Sequence, residues 1–233
     1  MDAAHLVARL SRHVVHWKAY FSRTIRPFLA GDVLEVGCGM GDTSRLLCNE
    51  AVSSWTALEP DPELLEVFGR HVEAEGFPVP IELVVGTVES LPRVRPFDGI
   101  LYIDVLEHIE DDREELRAAA DRLRPGGVLI VLSPAHQFLY TPFDRVIGHF
   151  RRYSARGLSA IEPEGMTCEK LFYLDSVGMF ASMANRLFLR QRMPTARQLR
   201  FWDSVLVRAS VVVDWLTAYR LGKTVLGIWR RPS

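Results

Sequence analysis

Short apolar runs bounded by Gly, Pro or acidic residues recur along the chain at 32–36, 54–59, 81–85, 97–103, 127–133, 167–174 and 224–230. Each reads as a buried strand. Between them the apolar period lengthens to that of a helix. Pro62 suits the first position of a helix that carries Leu64, Leu65 and Phe68 on one face. Residues 112–124 form another, and longer helical segments lie near 176–190 and 199–219. Leu6, Leu10, Val14, Trp17 and Phe21 place a helix or helix pair over 6–29, ended by Pro27 and Gly31. Alternating strand and helix predicts an α/β fold with a parallel, doubly wound sheet. Residues 134–157, rich in His, Arg, Tyr and Pro, break the pattern and read as an irregular functional loop.

A chain of 233 residues, 48% hydrophobic and 24% charged, suits one globular domain. No continuous apolar run reaches the ~18 residues of a spanning helix. His5, Arg9, Arg12, His13 and His16 interrupt any signal-peptide core. Cys38, Cys48 and Cys168 are scattered and odd in number, which argues against a disulfide framework and against a cysteine metal site. The expectation is a cytoplasmic, metal-independent protein. Residues 1–144 hold 13 Lys/Arg against 23 Asp/Glu, whereas 145–233 hold 15 against 6. Two surfaces of opposite charge explain this, as would a basic region serving an anionic substrate, a partner or a membrane surface. The basic residues are dispersed, so no nucleic-acid partner is expected. The oligomeric state is not legible.

The stretch with the most chemistry is 33–44. A strand ends at Val36 and opens into Gly37-Cys38-Gly39-Met40-Gly41, and Thr43 starts a helix. Such a turn lets a ligand lie against backbone. A dinucleotide site wants a third glycine where this chain has Asp42. Glu35, just before the loop, would repel a pyrophosphate but suits a ligand bearing an ammonium group. Glu59 ends the second strand, where a carboxylate accepts hydrogen bonds from ribose hydroxyls in either ligand class.

The segments 34–41, 58–61, 97–109 and 123–127, in this order and spacing, resemble the class I S-adenosylmethionine-dependent methyltransferases. The resemblance implies a Rossmann-like, seven-stranded sheet with an antiparallel last strand. The chain would be a single domain with a helical cap over 1–31, a cofactor-binding half over 32–133, and a substrate side over 134–233. S-adenosylmethionine would be the cofactor and S-adenosylhomocysteine the product. By the same resemblance, Glu35, Gly37, Cys38, Gly39, Gly41 and Thr43 would face the methionine part. Glu59, followed by Pro60, would hold the ribose. Thr87, Val88 and Glu89 would edge the adenine, and Ile103, Asp104 and Val105, with His108, would border the methionine end. The segments 134–136, Asp144, 148–153 and 221–226 resemble one bacterial branch of small-molecule methyltransferases with a Gly-His-x-Arg-Arg-Tyr segment. That branch names no substrate.

Methyl transfer from a sulfonium needs an acceptor atom held in line, with oxygen favoured here and nitrogen or carbon open. Base candidates follow the fifth strand: His149 first, then His136, Asp144 and Tyr153. Arg151 and Arg152 could hold an anionic group of a small-molecule acceptor, with at most one of the pair reaching it. Trp17, Tyr20 or His16 could touch the acceptor from an N-terminal lid. Phe180, Met183, Phe188 and Trp202 suit either core or an apolar pocket wall. The rival readings are an S-adenosylmethionine-binding protein without transferase activity, and a nucleotide-dependent oxidoreductase.

Overall fold

The computed structural model describes residues 14–92, 96–186 and 195–233. Leu6, Leu10, His5, Arg9, Arg12, His13 and Phe188 lie outside the described residues. Seven strands form one sheet in the order β3-β2-β1-β4-β5-β7-β6. They are β1 (Gly31–Val36), β2 (Val52–Glu59), β3 (Ile81–Val85), β4 (Phe97–Ile103), β5 (Leu123–Pro134), β6 (Thr167–Leu174) and β7 (Thr224–Arg230). The first five are parallel, and β7 runs antiparallel between β5 and β6. The doubly wound Rossmann-like sheet is therefore as expected. The chain order reverses beside β1, so β1 and β4 end side by side, and α/β ligands bind at such a switch point.

Both faces of the sheet are apolar because both are covered. Val33, Trp55, Leu101, Ile130 and Ile228 belong to one buried cluster, and Leu34, Leu58, Ile100, Leu129 and Trp229 to the other. Period-2 alternation assigns neighbouring residues to the two faces. Helix α1 (His16–Ile25), the short α2 (Ser44–Leu47), α3 (Pro62–Glu75) and α4 (Asp112–Asp121) alternate with the first strands. Asp61 caps α3, accepting from the Glu63 and Leu64 amides.

Three expectations need correction. Strand β5 begins at Leu123, where a turn was expected. Phe97 pairs with Leu123 and Gly99 with Val128, so Arg124-Pro125-Gly126-Gly127 is a bulge within the strand. Gly126 supplies the left-handed residue it needs, with φ 78°. The 134–157 segment is ordered. It contains α5 (Pro142–Val146) and α6 (Ala155–Ser159), and a parallel bridge joins Ala135 to Tyr153.

The third correction concerns the lid. Trp17 and Tyr20 are buried, and Trp17 packs on Phe21 and Trp202. Past β6 come α7 (Ser176–Ala184), α8 (Ala196–Phe201), a π-turn (Trp202–Leu206) and α9 (Val207–Leu216). Asp203, in the π-turn, accepts from the Val15, His16 and Trp17 amides at 3.0, 3.0 and 2.9 Å. The Tyr20 hydroxyl donates to Asp214 of α9 at 2.9 Å. Helix α1 is thus clamped to the C-terminal helices, and Trp17 and Tyr20 are core residues rather than acceptor contacts. His16 is likewise held, by Asp203 at 3.0 Å. Tyr20→Phe should cost about 1 kcal/mol, because Asp214 keeps its Asp175 and Ser176 amide donors. A melting curve should shift down by a few degrees with cofactor affinity unchanged; weaker cofactor binding would restore the lid.

Candidate active site

The loop after β1 shows why it needs glycine. Gly37, Gly39 and Gly41 have φ of 69°, 55° and 77°, all left-handed. A Cβ on Gly37 would press Val105 Cγ2 at 2.5 Å, and one on Gly41 would collide with Phe68. A Cβ on Gly39 would meet nothing within 4 Å. Packing thus requires the outer two glycines, while the middle one borders open space above the strand ends. The loop is pinned from β2: the Gly37 and Cys38 amides donate to the Leu58 carbonyl at 2.7 and 3.1 Å. The Gly39 amide donates to Glu59 Oε2 at 2.8 Å, and the Asp61 amide donates to Oε1 at 3.1 Å. Glu59 is buried at the tip of β2, and each oxygen keeps a lone pair for a further donor. Pro60 beside it is exposed.

Glu35 sits differently from the expectation. It is only 1% exposed. Thr43 Oγ1 donates to one oxygen at 2.9 Å; Ser44 Oγ and, at 3.2 Å, Trp55 Nε1 donate to the other. Burial pushes its carboxyl up, and these three donors pull it back down. Glu35 therefore ties β1, the start of α2 and β2 together beneath the loop and does not face the crevice. Thr43 is spent on the same bond, and Cys38 is buried with its thiol pushed up by desolvation. Asp42 pairs with Lys18 of α1 at 3.1 Å.

Just after β3, Thr87 and Ser90 form a reciprocal cap around one turn of 3₁₀ helix. Val88 is wholly buried, while Thr87 and Glu89 are exposed. Ile103, Asp104 and Val105 follow β4, where Asp104 turns left-handed with φ 55° and is exposed. His108 is exposed, with its ring 4.5 Å from that of His149 and edge-on to it.

The residues after β5 divide into two groups. Asp144 is buried and accepts from His149 Nδ1 at 3.1 Å, from Arg152 Nη2 at 2.7 Å, and from Thr141 N and Oγ1 at 2.7 Å. Burial opposes its charge, but these donors outweigh it and hold the carboxyl well below the usual range. Asp144 orients His149 and does not take up a proton. Tyr153 is also withdrawn from the catalytic set: its buried hydroxyl donates to Asp112 at 2.7 Å, and its pKa is pushed further up. Arg151 bonds the same carboxylate at 2.6 Å and the Glu110 carbonyl at 2.7 Å. Arg151 and Arg152 are both committed to protein carboxylates. His136, left-handed at φ 65°, is stacked against Phe138 and Tyr173 at 5.1 and 4.7 Å, and burial lowers its pKa. Of these candidates, His149 keeps His108 beside it, the two rings 4.5 Å apart. Glu107 is fully buried, with Oε1 3.8 Å from His149 Nε2, and only its place before a histidine in 97–109 marks it in the sequence.

Asp144 also predicts an acid response. Its folded pKa is depressed, so its contribution is present above the unfolded value of about 3.9 and is lost as pH falls below that. Asp144→Asn should flatten the acid limb of a melting-temperature profile below about pH 4; an unchanged limb would show that the Arg152–Asp144–His149 network carries no stability.

Residues 33–127 match a family profile described as a methyltransferase domain. Over that stretch the chain is similar to methyltransferases. An "Ubiquinone biosynthesis O-methyltransferase" of Xylella fastidiosa (strain 9a5c) is 33% identical over 114 residues, covering 48% of this chain and 45% of that protein. The chain thus spans about half the length of the curated relatives it matches. An S-adenosylmethionine-dependent methyltransferase from Clostridium acetobutylicum ATCC 824 shares the fold at a TM-score of 0.60 and 13% identity, covering 99% of this chain and 98% of that one. The N-methyltransferase NodS from Bradyrhizobium japonicum WM9, in complex with S-adenosylhomocysteine, does so at 0.57 and 17%, covering 94% and 86%. S-adenosylmethionine is the cofactor of this class, and the methyltransferase domain fits it. The open space at Gly39 and the Glu59 carboxylate lie side by side at the switch point.

Proposed function

We propose that the protein transfers a methyl group from S-adenosylmethionine to an oxygen of a small-molecule acceptor, releasing S-adenosylhomocysteine. The observation that carries this reading is the Gly39 cradle with Glu59 at its wall. The named O-methyltransferase relatives support oxygen as the acceptor atom. The cofactor, when bound, supplies an activated methyl on a sulfonium. Glu59 holds the ribose, and Thr87 and Glu89 edge the adenine. Ile103, Asp104 and Val105 border the methionine end. Holding the acceptor in line can supply ~7–11 kcal/mol of the barrier. The acceptor enters over the loops that follow β4 and β5, beside His108 and His149. Arg151 and Arg152 each pair with a protein carboxylate, which weighs against their holding an anionic acceptor. We place the protein in the cytoplasm, a reading supported by three free thiols. No helix among the described residues is long and apolar enough to cross a membrane.

The test is turnover of methyl-labelled S-adenosylmethionine against hydroxyl, amine and carbon acceptors. Label on a hydroxyl oxygen supports the proposal. Label on nitrogen or carbon overturns the choice of oxygen, and cofactor binding without turnover of any acceptor favours the binding-only rival. Glu59→Ala should weaken S-adenosylhomocysteine binding roughly 10–100-fold, the worth of hydrogen bonds to a charged acceptor. Equal affinity in calorimetry would remove Glu59 from the ribose site.

A further inference from the structure

We propose that Glu107, His108 and His149 form a binding site for one divalent transition-metal ion, whose open face receives the acceptor hydroxyl. The three residues each offer a ligand atom, all within 4.8 Å of one another. Bonds of ~2.0–2.2 Å to a common ion allow ligands up to roughly 4.4 Å apart, so a shift of a few tenths of an ångström closes the set. Glu107 is fully buried and acts as the anchor. Its Oε2 accepts from Ser133 Oγ at 2.8 Å, while among the described residues its Oε1 has no hydrogen-bond partner. A polar oxygen left bare at zero exposure is costly unless something completes it. His149 Nε2 lies 3.8 Å from that oxygen.

His149 presents the matching half. Asp144 is held ionised by Arg152 and Thr141, so it can only accept, and His149 Nδ1 must carry the proton. Nε2 then faces Glu107 Oε1, and a cation shared between the two atoms would complete both. A carboxylate fixing the far nitrogen of a histidine is also how metal-bound imidazoles are commonly oriented. The backbone pins the geometry: the Phe150 amide donates to the Glu107 carbonyl, and the His149 amide to the Asp144 carbonyl, both at 2.8 Å. A Cβ on Gly148 would come within 3.6 Å of His108 Nδ1, so the backbone lies against that ring. His108 is exposed, so the site opens on that side.

Two imidazoles and one carboxylate suit Zn²⁺, Co²⁺, Fe²⁺ or Mn²⁺ better than the all-oxygen preference of Mg²⁺. Three protein ligands leave a position for an exogenous oxygen. An acceptor hydroxyl there loses its proton to water more readily. Its oxygen pair then forms the new O–C bond as the methyl C–S bond breaks, and the C–S bonding pair goes to sulfur. Ion binding stands by itself; its use in transfer rests on the methyltransferase reading.

The test is calorimetric titration of the chelator-treated full chain with Zn²⁺, with Co²⁺ as an optical probe and Mg²⁺ for comparison. One saturable Zn²⁺ site per chain is expected, with visible Co²⁺ ligand-field bands and weaker Mg²⁺ binding. Glu107→Gln and His108→Ala should each weaken Zn²⁺ at least tenfold, and Asp144→Asn roughly 10–100-fold through the orientation of His149. His108 is exposed, so its variant keeps the fold, and a melting curve checks this. No saturable Zn²⁺ binding, binding indifferent to Glu107→Gln and His108→Ala, or a preference for Mg²⁺ would overturn the proposal. A parallel S-adenosylhomocysteine titration separates the two readings. Cofactor binding without Zn²⁺ binding sinks the ion site alone, and the converse sinks the transfer reading alone.

Discussion

Gly39→Val is expected to lower S-adenosylhomocysteine affinity by about 100-fold or more, on the order of 3 kcal/mol. Two effects add. The new side chain would stand where nothing lies within 4 Å, the space the cofactor needs. It would also strain a residue at φ 55°, at a cost of roughly 1–2 kcal/mol in fold stability. The stability part is separable, because Gly39→Ala carries most of the backbone strain with little of the volume. Calorimetry on both variants beside melting curves divides the two effects. A valine variant that binds the cofactor normally would place the ligand elsewhere.

Glu35→Ala is expected to destabilise the fold by about 3–5 kcal/mol, the range for breaking a buried hydrogen-bonded network. Its side chain is the common acceptor for Thr43, Ser44 and Trp55. Removing it leaves the Trp55 indole N–H unpaired in a residue that is wholly buried. At ~2–4 °C per kcal/mol for a domain of this size, the melting temperature should fall by roughly 6–20 °C. A direct role on the methionine ammonium predicts the opposite profile, with affinity lost and stability kept. Denaturant melts and calorimetry of Glu35→Ala decide between these roles.

The strands were legible because their apolar runs end on clear breakers. The sequence bounds of β3, β4, β6 and β7 agree with those observed. Strand β5 started early because Arg124 bridges Asp32 and Asp98 across the sheet, so a Pro-Gly-Gly segment that reads as a turn became a bulge. At the candidate site, local spacing singled out Gly39 and Glu59, which the fold brings into hydrogen-bond contact at the ends of neighbouring strands. It misplaced residues whose roles depend on distant partners. Tyr20 is set by Asp214, and Tyr153 by Asp112. Glu35 had Thr43 and Ser44 close by, but Trp55 enters from the next strand. Glu107 and His149 meet only because the loops after β4 and β5 fold together, and a search for cysteine metal spacing does not detect them.

The central claim is that this chain holds S-adenosylmethionine in the Gly39–Glu59 cradle. Its most direct test is titration calorimetry of the full chain with S-adenosylhomocysteine, run beside NADH. The account predicts saturable S-adenosylhomocysteine binding that weakens in Glu59→Ala and is lost or nearly lost in Gly39→Val, with no comparable heat from NADH. Tight NADH binding without S-adenosylhomocysteine binding, or S-adenosylhomocysteine binding indifferent to both substitutions, would contradict it.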